Sequence, residues 1–148
     1  MITNSPEDTL ELGRKFGKKL KPGSVVALIG ELGAGKTIFT KGIAKALGVK
    51  EYKYVNSPSF VIVKEYKSKK IPLYHFDLYR FQSSRDLDTV EYEEYFYSRG
   101  ISVVEWADRA PDVLPDGYIL VKFKHLRNNR REIVINEARK PRSEKRKK

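Results

Sequence analysis

Gly30-Glu31-Leu32-Gly33-Ala34-Gly35-Lys36-Thr37 constrains this chain more than any other stretch. It fits G-x-x-x-x-G-K-[ST], the phosphate-binding loop known as Walker A. Glycines let such a backbone turn tightly and aim successive N–H groups at an anion. The pattern places the Lys36 ammonium to reach β- and γ-phosphates and the Thr37 hydroxyl to ligate Mg²⁺. Glu31, Leu32, Gly33, Ala34 and Gly35 complete the candidate nucleotide-binding loop. In the empty loop Lys36 is expected to be exposed.

The flanks support the motif. Val25 to Ile29 is an unbroken apolar run, the mark of a strand buried on both faces. Phe39, Ile43, Ala46 and Leu47 then share one helix face, and Gly48 is a C′ stop. Strand, glycine loop and helix together point a helix N-terminus at a phosphate. The alternative is a glycine-rich turn with an incidental lysine, and this flanking pattern argues against it.

The 148 residues fit one domain, and 40% hydrophobic content suffices for an ordinary core. With no cysteine, structural disulfides and thiolate metal sites are excluded. No secretory signal and no membrane-length apolar run is visible, so a cytoplasmic protein that avoids membranes is expected. Of the net charge of +11, residues 139–148 supply +6 and residues 1–138 supply +5. The expected organisation is a P-loop domain over 1–138 and a basic tail, 139–148, with too little apolar content to fold alone.

Ser5-Pro6-Glu7-Asp8 reads as a helix start, with Ser5 as cap, Pro6 at the first position and Asp8 completing an acidic capping box. Thr9, Leu12, Gly13, Phe16 and Leu20 share a face of that helix. Lys21-Pro22-Gly23 turns the chain into the first strand. Phe60 to Tyr66 and Leu73 to Asp77 read as a β-hairpin, Ser84 to Ser98 as a helix of irregular spacing, and Ile101 to Glu105 as a buried strand. Tyr118 to His125 and Glu132 to Asn136 form a second hairpin around Asn128-Asn129, residues that tolerate positive φ. The pattern predicts a three-layer α/β domain with a mixed sheet, parallel at its core, and a C-terminal β-hairpin.

A phosphate loop needs a carboxylate at the tip of a nearby strand to hold Mg²⁺, directly or through water. Asp77 and Glu105 both follow buried-type runs and sit where α/β sheets bind ligands. As strand-end groups they are expected to add little to packing. His75 precedes Asp77 by two residues on the same face; it is either a phosphate neighbour or a half-buried strand histidine. Arg80 is either a structural anchor or a phosphate contact. Trp106 and the Tyr92, Tyr95, Phe96 and Tyr97 cluster read as packing.

Four blocks in this order carry a resemblance: the glycine loop, Ser57-Pro58-Ser59-Phe60, His75-Phe76-Asp77-Leu78-Tyr79-Arg80, and Glu105-Trp106. Together they resemble the bacterial TsaE family, also called YjeE, from about Ser5 to about Ile135. The resemblance implies a small Mg²⁺-dependent ATPase, slow alone and stimulated by partners. It would act with the TsaB and TsaD proteins to form N6-threonylcarbamoyladenosine at position 37 of tRNAs that read ANN codons. It implies that Thr37 and Glu105 hold Mg²⁺, that Asp77 lies in the active site with Lys36, and that the Ser57 to Phe60 loop is a nucleotide-responsive switch. The family pattern there is Ser-Pro-Thr; Ser59 keeps the hydroxyl and loses the methyl. The N-terminal segment and last hairpin of the family line the pocket, which makes Thr9 and Arg130 candidate contacts. Two other readings compete. A small-molecule P-loop kinase would need clustered lid arginines, but Arg80, Arg85 and Arg99 are scattered. A nucleic-acid-binding module would act through the basic tail.

Overall fold

The computed structural model describes residues 1–58, 61–88 and 90–136. Ser59, Phe60 and the tail expected from 139 onwards lie outside the described residues.

The first strand, β1 (Ile2–Thr3), leads into α1 (Pro6–Gly17), then β2 (Val25–Gly30) and α2 (Lys36–Leu47). β3 (Val63–Tyr66) and β4 (Leu73–Asp77) form a hairpin, α3 (Tyr92–Phe96) precedes β5 (Ile101–Glu105), and β6 (Ile119–His125) and β7 (Arg131–Asn136) close the fold. Among the described residues seven strands form one sheet in the order β1-β7-β6-β2-β5-β4-β3. The four central strands are parallel and the outer pairs antiparallel.

Side chains of the central strands alternate between two cores, as a strand's period of two requires. Val26, Leu28, Ile101, Val103 and Val121 face a core that includes Phe16, Phe39 and Ile43 of α1 and α2. Val25, Ala27, Phe76, Val104 and Leu120 face the other, with Leu87 and Phe96. The expected three-layer α/β domain with a mixed sheet is therefore the observed one.

Helices α1 and α2 meet backbone to backbone. A Cβ on Gly13 would lie 2.3 Å from the Phe39 carbonyl oxygen, and one on Gly42 would lie 2.1 Å from that of Leu10. This close crossing seats Phe16 against Phe39, ring centroids 5.4 Å apart, and Phe39 against Phe123 at 5.3 Å. α1 begins as expected: Ser5 Oγ accepts from the Asp8 N–H at 3.0 Å. The return bond runs to the Asn4 N–H at 3.1 Å rather than to that of Ser5.

Three expectations need correction. β1 was not anticipated; two residues are too few to show a period, and it exists because it pairs with β7, Ile2 opposite Glu132. β3 starts at Val63, and Val61 and Ile62 are not part of it because Ile62 takes φ 72, outside the strand region; Phe60, where the expected strand began, lies outside the described residues. The helix read over Ser84 to Ser98 is a 3₁₀ turn, Ser84–Leu87, followed by the separate α3. Leu87 and Phe96 are both buried in the same core. Nine residues apart on one helix they would point about 180° away from each other, so a break is needed to bury both.

Candidate nucleotide-binding site

The site forms where β2 ends. Gly30 has φ 154, and a Cβ there would lie 2.6 Å from the Phe123 carbonyl oxygen, so only glycine lets β2 turn this close to β6. Gly33 and Gly35 have φ 78 and 102. Gly35 is the N-cap of α2 and brings no side-chain acceptor, so the first N–H groups of the helix face the loop's hollow. Loop residues Leu32 to Ile38 line a cavity of about 380 Å³, closed by Ser57, Asp77, Tyr79, Glu105 and Trp106.

Lys36 is not exposed, contrary to expectation; it is 4% exposed. Its Nζ donates to the carbonyl oxygens of Gly30 at 2.6 Å and Glu31 at 2.9 Å. The ammonium stands 4.1 Å from the centroid of the Trp106 ring. Burial lowers its pKa from the ordinary lysine value, opposed by the carboxylates of Glu105, Asp77, Asp108 and Glu31.

The two strand-tip acids are side by side, since β4 and β5 are parallel neighbours with Asp77 opposite Glu105. Thr37 Oγ1 donates to Glu105 Oε2 at 3.0 Å and lies 3.2 Å from Oε1. His75 is fully buried, and its Nε2 is 2.6 Å from Glu105 Oε2, so the ring N–H donates to the carboxylate. Among the described residues its Nδ1 has no partner. Asp77 is buried and accepts from the Tyr79 N–H at 2.8 Å. Both acids belong to the packed interior, so the expectation that they contribute little to packing is corrected. No group of three or more His, Cys, Asp or Glu that could hold a metal occurs among the described residues. A cation here would therefore rely on Thr37, Glu105 and oxygens from its ligand and water. A glycine cradle, a buried lysine and a hydroxyl paired with a carboxylate fit a magnesium–nucleotide.

Trp106, read from sequence as packing, belongs to this site. It takes φ 59 directly after Glu105, which turns its ring over Lys36. Tyr79 packs on it at 5.0 Å, and the Arg109 guanidinium lies 5.3 Å from the indole centroid. The available signal was position: Trp106 is the first residue past the tip of the strand that carries Glu105.

The remaining candidates divide. Thr9 is buried, with its Oγ1 2.7 Å from that of Thr3. A Cβ at Gly35 would stand 3.5 Å from Thr9 Cγ2 and 3.6 Å from Arg131 Nε, so these two side chains flank the loop. Arg130 is exposed, its Nε 3.4 Å from the Arg127 carbonyl oxygen; its neighbour Arg131 is the one beside the loop. Arg131 was missed because residue parity in β7 depends on a hairpin turn that Asn128 and Asn129 set, each with φ 62. Arg80 is exposed and outside the cavity lining, as is Glu31, whose side chain accepts from the His125 N–H at 3.3 Å. Ser57 is at the cavity wall.

A parallel-centred sheet with this loop between β2 and α2 defines the P-loop NTPase-like class. The family model described as "Threonylcarbamoyl adenosine biosynthesis protein TsaE" matches residues 3–133, and the chain belongs to this family. A Bacillus subtilis relative with the name tRNA threonylcarbamoyladenosine biosynthesis protein TsaE is 42% identical over 90% of this chain and 82% of its own length. An Aquifex aeolicus relative of the same name is 41% identical over 91% of this chain and 93% of its own. A crystal structure of Bacillus subtilis YdiB superposes with a TM-score of 0.76 at 34% identity, covering 94% of this chain and 84% of that one. Among the described residues no helix is long and apolar enough to cross a membrane.

Proposed function

We propose that this protein binds and hydrolyses ATP with Mg²⁺, and that the hydrolysis serves formation of N6-threonylcarbamoyladenosine at position 37 of tRNAs reading ANN codons. In this reading it works in the cytoplasm with the TsaB and TsaD proteins. Family membership and the relatives' names support the tRNA role. The observation that carries the ATPase reading is the Thr37–Glu105 hydrogen bond beside the buried ammonium of Lys36.

Bound Mg²⁺ would neutralise phosphate charge and polarise the phosphoryl group under attack. The loop N–H groups and the α2 N-terminus would hold the phosphates. Lys36 would exchange the carbonyls of Gly30 and Glu31 for phosphate oxygens, a change of partner that needs little movement of the side chain. Thr37 and Glu105 would carry the cation, with His75 fixing the Glu105 carboxylate by its Nε2–H. Asp77, the second acid of the lining, would hold a water of the metal shell.

The lining supplies groups for phosphate and metal. Among the described residues no arginine lines the cavity itself, and Arg131 beside the loop donates to the Asn129 carbonyl instead. Transition-state charge would then need help from another chain, which is the basis for expecting slow hydrolysis alone. The test is steady-state phosphate release by the protein alone, then with TsaB, TsaD and tRNA. Acceleration by the partners is expected. Equal rates would refute partner stimulation, and absence of Mg²⁺-dependent ATP binding would refute the whole reading.

A further inference from the structure

The charge of this chain is unevenly placed. Residues 45–54 and 64–70 hold seven lysines against Glu51 and Glu65, a net of +5, which equals the net charge of all residues 1–138. The rest of that span balances to zero.

The fold joins these two stretches at the C-terminal end of α2. Gly48 ends the helix with φ 85, and a Cβ there would stand 3.6 Å from Lys69 Cβ, so the β3–β4 turn lies against the helix end. The groove between them has a volume of about 640 Å³, with Lys45, Lys50 and Tyr52 on one wall and Lys67, Ser68 and Lys69 on the other. The turn is fixed by Ser68, whose Oγ bonds the Ile71 carbonyl and accepts from the Ile71 N–H at 3.1 Å. Lys45 Nζ lies 5.3 Å from the Tyr52 ring centroid. Tyr54, on the same 3₁₀ turn, is 75% exposed.

Structural needs account for part of this. A cation in the last turn of α2 complements the helix dipole, which explains Lys45. That does not explain lysines on the opposite wall, where like charges repel across the groove. Glu11 feels Lys45, but Arg14 already holds both of its carboxylate oxygens.

We infer that this groove is a docking surface for the sugar–phosphate backbone of an RNA, with Lys45, Lys50, Lys67 and Lys69 meeting successive phosphates. Ammonium groups spread along two walls match a line of charges better than one compact phosphate, because lysine is a point charge without arginine's planar fork. The exposed Tyr54 offers a ring face to an unstacked base, a contact tolerant of sequence, while Tyr52 packs on the core beneath Lys45. The choice of RNA rests on the proposed function; the charge of the groove does not. Lys36 lies at the other end of a helix of 12 residues, roughly 16–18 Å away, so nucleotide and RNA would use separate groups.

The test is fluorescence anisotropy of a labelled, unmodified tRNA transcript with the full chain, between about 50 and 200 mM salt. The variant Lys45→Gln/Lys50→Gln/Lys67→Gln/Lys69→Gln should lose at least about tenfold in affinity at the lower salt, and the slope of log K against log salt should flatten by about 3. Melting temperature and MgATP affinity should stay as in wild type, which separates lost docking from lost fold. A full-length variant with the lysines and arginines of 139–148 changed to glutamine measures the tail's share. Unchanged affinity and slope in the groove variant would overturn the inference, as would a loss confined to the tail variant. Competition by polyglutamate equal, charge for charge, to that by RNA would overturn RNA as the occupant in favour of an acidic protein. Groove-dependent RNA binding in a protein found not to hydrolyse ATP would uphold the groove while the ATPase reading fell.

Discussion

At the N-terminal end of α2 the charged groups Lys36, Asp77 and Glu105 are buried, of both signs and hydrogen-bonded; the groove at its C-terminal end is lined by exposed charges of one sign. Lys36, Asp77 and Glu105 are at most 4% exposed. Lys45, Lys50, Lys67 and Lys69 all reach solvent. Burial strengthens each interaction at the first end and makes geometry decisive, because a misplaced charge there loses its partner and its water together. At the second end solvent screens every charge, so number matters more than placement. One helix thus presents a site shaped for a compact anion and a surface suited to an extended one.

The largest effect should come from Lys36→Ala at the buried end. Two charge-assisted hydrogen bonds to phosphate, at roughly 1.5–3 kcal/mol each, amount to at least about a hundredfold in ATP affinity. Titration calorimetry measures it. The same variant uncovers Trp106, the single tryptophan of the chain, so its fluorescence should change without any nucleotide. Near-normal ATP affinity in a folded variant would remove the contrast between the two ends.

Gly42→Val comes next and tests the scaffold rather than the charges. Its Cβ would stand 2.1 Å from a backbone oxygen of α1, and α1 must shift to admit it. Overpacking costs typically about 1–3 kcal/mol and sometimes more. Urea unfolding should show a lower midpoint. Since Thr9 of α1 flanks Gly35, ATP affinity should fall as well, while the lysine groove keeps its RNA affinity. Equal losses at both ends would mean that α2 transmits the damage as a rigid whole.

A smaller effect is expected from His75→Leu. The Nε2–H no longer orients Glu105, and loss of such an outer partner typically costs about 10–100-fold in metal affinity. The Mg²⁺ concentration needed for half-maximal ATP binding should rise by that factor. His75→Gln, which restores a donor, should recover part of it. An unchanged Mg²⁺ requirement in His75→Leu would reduce His75 to core packing.

Much of the buried end was legible in the sequence. Val25 to Thr37 shows strand, loop and helix because each follows a local period, and Asp77 and Glu105 announce themselves as acids after apolar runs. What escaped depends on contacts between distant segments. Lys36 is buried because Trp106 folds over it, a backbone turn at φ 59 that no local pattern signals. Arg131 rather than Arg130 reaches the loop because of strand parity, and β1 exists only as a partner of β7. The lysine groove was invisible for the same reason. Its walls come from stretches separated in sequence, which no local pattern joins.

The smallest effect is expected where charge is partly exposed, of both signs and paired within one helix. Arg14 grips Glu11 through two bonds, Nε to Oε1 at 2.8 Å and Nη2 to Oε2 at 2.5 Å. That hydrogen-bonded guanidinium holds the Glu11 pKa down at about 2, against an ordinary value of 4.5, with Lys15 and Lys45 adding to the attraction. A carboxyl whose pKa is depressed on folding stabilises the folded state above its unfolded pKa and loses that contribution as pH falls through the folded one. The contribution of Glu11 should therefore be complete above about pH 4.5 and fade toward pH 2. The pair is partly exposed, Glu11 the more so, and screening by solvent keeps the contribution small. Glu11→Gln should melt slightly below wild type near neutral pH, and the two curves should converge as pH approaches 2. High salt should close the gap at neutral pH. A gap that persists both in acid and in high salt would mean that Glu11 acts through packing rather than charge, and the contrast between buried and exposed charge would then not extend to α1.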